Sequence, residues 1–207
     1  MTQERDIFKA IHSQRAIRKL KADSIPNEIV NTLLEAAIRA PSGANQQTWK
    51  FLIIRDSKVK TSIGSYYSKA WELAYGDSAT VTLNIDSKVK SSAAYLADHL
   101  DQAPVLILAC VEHDGSKLTL TRGSSIYPAV QNILLAARAL GIGSVLTTLH
   151  RRYEKEIKHL LGIPENVDIA AILPIGYPTG EESYGPSKRK PVIEVSYNEK
   201  WGITRTD

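Results

Sequence analysis

Seven consecutive apolar residues, Val105-Leu-Ile-Leu-Ala-Cys-Val111, follow Pro104 and leave no polar position for a solvent-facing side. Side chains alternate across a strand, so such a run needs apolar neighbours on both of its faces. That requirement points to a sheet enclosed between helices. Strands are also expected at about Phe51–Arg55, over Ile142–Thr148 and over the β-branched-rich stretch Val167–Ile175, with an edge strand at Val192–Val195. Elsewhere the apolar period is helical. A short opening helix to about His12 carries Ile7, Phe8 and Ile11 on one face. A second spans Pro26–Ala40, with Val30, Leu33, Leu34 and Ala37 on its stripe. Further helices are expected over about 59–73, 91–100, Ser125–Leu140 and Tyr153–Leu161, with Gly141 and Gly162 as stops. The stripe of Ile126, Val130, Ile133, Leu134, Ala137 and Leu140 makes 125–140 the central helix. The order is mixed, so the class is α+β, in a single domain over residues 1–207.

Several functions are excluded early. Hydrophobic residues make 43% and charged residues 23% of the chain, an ordinary balance for a soluble protein. No apolar run approaches the ~20 residues of a membrane helix, and Met1–Asp6 lacks a secretory apolar core. Cys110 is the one cysteine, so no internal disulfide or multi-cysteine metal site forms, and its apolar surroundings mark a buried thiol. These points favour a cytoplasmic protein with no membrane partner. The net charge of +4 is mild and no dense basic run is present, which argues against nucleic-acid binding.

Two polar stretches remain to be explained. Between the second helix and the first strand runs Ala40-Pro-Ser-Gly-Ala-Asn-Gln-Gln-Thr-Trp49, rich in amides and hydroxyls and almost without charge. Pro41 stops the helix and Gly43 permits close backbone approach. Carboxamides at Asn45, Gln46 and Gln47 need hydrogen-bond partners, and Trp49 offers an apolar wall. The set suits a flat heteroaromatic ligand with carbonyl and imide groups; a plain solvated turn is the alternative. Near the start, Ser13-Gln-Arg-Ala-Ile-Arg-Lys-Leu20, if extended, turns Ile17 to one side and Arg18 to the other. That is either a solvated basic face or an anion site built from arginine forks. The segment 58–100 reads as a helical excursion, a lid over a site, and carries Tyr66, Tyr67, Trp71 and Tyr75; for each ring taken singly, filling the core is the stronger alternative.

Leu140-Gly-Ile-Gly-Ser144 is not a dinucleotide loop, because it follows a helix and opens a strand. The five histidines lack ligand spacing, and no nucleophile, metal cluster or acid–base pair is evident. A chain without chemistry of its own borrows it from a cofactor.

The motifs together resemble the nitroreductase family of flavoproteins. Ser13–Leu20 is similar to its R-R-S-x-R-x-F signature, and Ala40–Trp49 to its A-P-S-x-x-N-x-Q-P-W. Pro128-Ala-Val-Gln-Asn132 through Gly141–Ser144 is similar to its central helix and glycine turn. Pro174-Ile-Gly-Tyr-Pro178, with Arg189-Lys-Pro191 after it, resembles its last motif. The resemblance implies an FMN enzyme with a mixed sheet flanked by helices, in an intertwined homodimer with flavin at the subunit interface. It places Gln14, Arg15, Ala16 and Arg18 on the FMN phosphate, ribityl chain or pyrimidine edge, and Arg189 near the phosphate. Pro41, Ser42, Gly43, Asn45 and Gln47 then line the ring from the partner subunit, and Leu146, Thr147 and Thr148 lie near N5. Tyr66, Tyr67 and Trp71 are the expected acceptor contacts. The chain departs from the family pattern at Gln14, Ala16 and Thr48, and it lacks the Asn-x-x-Lys pair near Leu96–His99. The implied activity is ping-pong reduction of nitroaromatics, quinones or a related small acceptor by NAD(P)H. The flavin carries the chemistry; no side chain is catalytic and no metal is needed. Alternatives within the fold are dehalogenation, azoline oxidation, flavin fragmentation and flavin binding without turnover.

Overall fold

The computed structural model of the chain describes residues 7–76, 86–115 and 120–205. Its centre is a four-stranded sheet: β1 (Trp49–Ile54), β2 (Val105–Glu112), β3 (Gly143–Ser144) and β4 (Val167–Gly176), in the order β1-β2-β4-β3. The helices are α1 (Ile7–Ser13), α2 (Asn27–Ala37), α3 (Ser57–Tyr75), α4 (Ser87–His99), α5 (Leu120–Ala139) and α6 (Glu154–Leu161).

The apolar run of β2 is covered on both faces, as its composition requires. Val105, Ile107, Ala109 and Val111 pack with Leu33 and Ala37 of α2 and Ile126, Val130 and Ile133 of α5. Leu106, Leu108 and Cys110 face the other layer, with Ile63 and Tyr67 of α3, Leu96 of α4 and Ile157 of α6. A register shift after Ala109 pairs it with Ala171 but pairs Cys110 with Ile169. This bulge at Ala170 lets Ile169 and Ile172 point to the same side. Cys110 is fully buried and its thiol is pushed up to about 12 by desolvation, so it is inert packing.

The α+β class stands, but every strand pair among the described residues is antiparallel rather than mixed. Apolar runs report burial on both faces, not strand direction; here helical layers on an antiparallel sheet supply that burial. Other boundaries also moved. The expected strand over Ile142–Thr148 shrinks to Gly143–Ser144, beyond which Thr147 alone rejoins the sheet opposite Ile172. Val192–Glu194 is a single 3₁₀ turn with Val192 and Ile193 exposed, not an edge strand. Helix α5 begins at Leu120 and runs through Pro128. Ile7, Phe8 and Ile11 of α1 face outward, and Ala10 is the buried residue of that helix.

Two glycines shape the region that matters for function. Gly141, at φ +73°, ends α5 in the left-handed conformation. At Gly143 a Cβ would stand 2.6 Å from Leu20 Cδ2, 3.0 Å from Ile17 Cγ2 and 3.3 Å from the Gly176 carbonyl. The Gly-x-Gly spacing thus serves a helix stop and a close crossing. Gly143→Ala is expected to cost roughly 1–2 kcal/mol through overpacking and to displace the 14–20 segment. Urea unfolding checks it; an unchanged midpoint means that Leu20 and Ile17 yield freely.

Candidate functional site

The basic segment near the start lies along the sheet's end. The Ile17 amide donates to the Ser144 carbonyl at 3.0 Å, and Lys21 N–H to Tyr177 O at 2.8 Å. Ile17 is 1% exposed, so Arg18 projects to the opposite side, as strand alternation demands. Its Nη1 donates to Ser92 Oγ of α4 at 3.2 Å. The Glu182 carboxylate accepts from the Arg18 amide, from the Lys19 amide at 3.0 Å and from the Ser92 hydroxyl. Lys19 pairs with Glu181, and its ammonium lies 5.1 Å above the Tyr95 ring. Arg15, Ala16, Arg18 and Lys19, with the first turns of α4 and residues 181–183, enclose a cavity of about 650 Å³. Four cations (Arg15, Arg18, Lys19, Lys88) and two carboxylates line it, leaving a positive excess suited to a phosphate dianion. Its size is that of a cofactor site.

Gln14 sits at the edge of this region, its amide on Ala10 O at 2.9 Å and its Nε2 on Arg15 O at 3.3 Å. Arg189 is exposed, donates to Lys188 O at 3.1 Å and lies outside the cavity wall.

The amide-rich loop is elsewhere. Gly43 N–H donates to Ser125 Oγ at 3.2 Å, near the start of α5, whereas Ser13 receives the Arg138 Nε at 2.8 Å near its end. Thirteen residues of helix correspond to roughly 20 Å. One chain therefore does not bring the two motifs together. The loop is closed on itself: Gln47 N–H donates to Ser42 Oγ at 3.0 Å and Gln47 Nε2 to Asn45 Oδ1 at 3.2 Å. Ala44, Asn45 and Gln47 adopt φ of +48°, +55° and +51°, strain that accumulates at functional loops. Pro41, Gly43, Asn45 and Gln47 are exposed and Ser42 is half-buried. The carboxamides are thus solvated rather than buried, because the loop lies outside the core. Trp49 is not a wall beside them: it is 8% exposed and packs in the layer of α2 and α5. Its place as the first residue of β1 sends the indole under the sheet.

A third element emerges beside β3. Leu146 is half-buried, Thr147 buried and Thr148 exposed. Thr147 exchanges both backbone hydrogen bonds with Ile172, at 3.1 and 3.0 Å. Its Oγ1 is 2.6 Å from the hydroxyl of Tyr67. Tyr67 is 3% exposed and belongs to the core rather than to a surface an acceptor could reach. Tyr66 leans on Tyr153 with centroids 5.5 Å apart, and Trp71 on Tyr75 at 4.7 Å. Helices α3 and α4 pack one face of the sheet through Ile63, Leu96 and Ala97; the rest of the 58–100 excursion, 77–85, lies outside the described residues.

Ser92, Glu181 and Glu182 complete the basic cavity and were not among the expected site residues. The signal for Glu182 was present: an acidic pair at 181–182 after the Gly-Tyr-Pro turn complements the basic pair at 18–19. Among the described residues no cluster of His, Cys, Asp or Glu fits a metal ion, and no helix is long and apolar enough to cross a membrane.

The fold has known counterparts. Residues 11–177 match the Nitroreductase family, so the chain belongs to that family of FMN-dependent oxidoreductases. A relative from Archaeoglobus fulgidus, provisionally named an NADH dehydrogenase/NAD(P)H nitroreductase, is 30% identical over 199 residues, 95% of this chain and 99% of its own. Human iodotyrosine deiodinase 1 is 26% identical over 196 residues, covering 92% of this chain and 67% of that protein. The solved structure of an iodotyrosine deiodinase bound to FMN and 3-iodo-L-tyrosine superposes with a TM-score of 0.74 at 27% identity. It covers 93% of this chain and 99% of the other.

Proposed function

We propose that the protein is an NAD(P)H oxidoreductase whose FMN sites form between two copies of the chain. One observation carries this reading: the basic cavity at Arg15 and Arg18 and the strained amide loop at 41–47 stand at opposite ends of α5. A flavin touching both must draw them from different copies. Outward-facing Ile7, Ile11, Val192 and Trp201, the last 91% exposed, supply apolar surface for such a homodimer.

In this arrangement Arg15 and Arg18 hold the phosphate or the pyrimidine edge, with Gln14 and Ala16 beside them. Pro41, Ser42, Gly43, Asn45 and Gln47 of the second copy cover the ring. Leu146, Thr147 and Thr148 lie along its N5 edge, and Tyr66 and Trp71 border the acceptor space; Arg189 joins the phosphate only if the 186–191 segment closes over it. Bound FMN supplies the two-electron carrier between NAD(P)H and the acceptor. Arg18 contributes a fixed positive charge where negative charge gathers on reduction.

The acceptor is a small aromatic of the nitroaromatic or quinone type. The likeness to the deiodinases supports a second reading, reductive dehalogenation of a halophenol. Anaerobic reduction by NADH or NADPH, followed by addition of a nitroaromatic, a quinone or 3-iodo-L-tyrosine, separates the two. Bleaching of the flavin by a nicotinamide, with recovery on the first two compounds, is the expected result. Bleaching by dithionite alone, with recovery and iodide release on the third, selects the second reading. Flavin that neither nicotinamide reduces overturns the first.

A further inference from the structure

Arg18, Ser92 and Glu182 form a closed ring of hydrogen bonds in the wall of the basic cavity. The Glu182 carboxylate takes the amides of Arg18 and Lys19 on one oxygen and the Ser92 hydroxyl on the other. Ser92 Oγ in turn accepts from Arg18 Nη1 at 3.2 Å. A serine hydroxyl has one proton and a guanidinium has no acceptor, so a single direction of donation is open. With its proton on Glu182, Ser92 meets Arg18 as an acceptor, and the carboxylate keeps a lone pair aimed at the guanidinium. Arg18 carries five N–H donors, and among the described residues Ser92 is the one hydrogen-bond partner of its side chain. Its other donors remain for a ligand in the cavity that it lines. Ser92 itself is rigidly held. One turn further along α4, Leu96 is 2% exposed and packs with Ala97 in the core of that layer. A hydroxyl on a docked helix fixes its partner more narrowly than one on a loop.

We propose that Ser92 is a positioning residue: through a hydroxyl locked by Glu182, it holds the Arg18 guanidinium where negative charge gathers as bound FMN is reduced. The proposal rests on the FMN reading above and adds α4 and the loop after β4 to it. A cation fixed in advance needs no reorganisation at the moment of reduction, so it favours the reduced ring over the oxidised one. The competing role for Ser92 is structural, a donor that pins residue 182 to α4. That role affects stability and leaves the potential alone, because the loss of an uncharged hydroxyl changes no charge in the site.

The test uses the full-length holoprotein and four variants: Ser92→Ala, Ser92→Thr, Arg18→Gln and the double variant of Ser92→Ala with Arg18→Gln. Alanine is favourable within a helix, and thermal melts of each variant verify folding. The midpoint potential of bound FMN is the readout. Ser92→Ala is expected to weaken reduced relative to oxidised FMN about tenfold, a fall of ~30 mV for a two-electron couple. Ser92→Thr keeps the hydroxyl and should match wild type. Arg18→Gln should fall at least as far as Ser92→Ala. The double variant should fall no further than Arg18→Gln, because Ser92 acts through Arg18. An unchanged or higher potential in Ser92→Ala overturns the proposal and leaves the structural role. A further fall in the double variant overturns it too, since Ser92 then acts on the ring without Arg18. An unchanged potential in Arg18→Gln does the same by placing that side chain away from the ring. A wild-type protein that takes up no FMN sinks the underlying reading, and that is visible before any variant is made.

Discussion

Replacing both Arg15 and Arg18 with alanine is expected to weaken FMN binding by about 3–6 kcal/mol, two charge-assisted hydrogen bonds at ~1.5–3 kcal/mol each. That corresponds to a loss of roughly 10²–10⁴ in affinity, and the variant should purify colourless. Arg18 is half-buried, shares Ser92 with the Glu182 carboxylate and faces the cavity. Removing it also leaves Glu182 with less positive charge nearby. The single variants divide the roles. If Arg18 meets the phosphate, Arg18→Ala costs affinity and leaves the potential of bound FMN unchanged. If it faces the pyrimidine edge, oxidised FMN is lost less and the potential falls. Titration of FMN into the apoprotein reads the first quantity, and a redox titration the second. Unchanged affinity and potential in Arg18→Ala would make the segment a solvated basic face.

The second large effect concerns stability in acid. His150 is fully buried, its Nε2 pairs with the Ile169 carbonyl at 2.8 Å, and its Nδ1 has no partner among the described residues. Burial is the main cause that lowers it to about 4, with the Arg151 charge adding to the shift; the Ile169 carbonyl opposes both. The imidazole is neutral in the folded chain, and the unfolded chain binds the extra proton between its ordinary value near 6.5 and 4. Stability is therefore lost as pH falls through that window, by about 3 kcal/mol at its lower end. His150→Gln is expected to be less stable at pH 7, through lost packing, yet to lose less on going from pH 6.5 to 4. Urea unfolding at a series of pH values compares the two slopes. Parallel slopes would place the acid sensitivity in other groups.

These residues also indicate what the sequence made legible. The burial of the 105–111 run, the inward turn of Ile17 and the central helix followed from period and composition, because each depends on local alternation and area removed from water. Strand direction did not, since a run apolar on both faces reads the same in parallel and antiparallel sheets. The outward face of α1 was missed for a related reason: Ile7, Phe8 and Ile11 repeat at helical spacing whether the apolar partner lies within the chain or in another copy. Glu182 reached the site through a long loop after β4, a contact 164 residues from Arg18 that no spacing rule foresees. The same holds for Tyr67, whose place in an aromatic cluster suggested a binding wall while its hydroxyl is committed to Thr147 in the core.

The central claim is that two copies of the chain build each flavin site. Light scattering of the purified protein, with flavin absorbance recorded across the same peak, tests it most directly. The account predicts a yellow species of twice 22.8 kDa, with one FMN released per chain on denaturation. A flavin-loaded species of 22.8 kDa at micromolar concentration, or a colourless protein that takes up no added FMN, would contradict it.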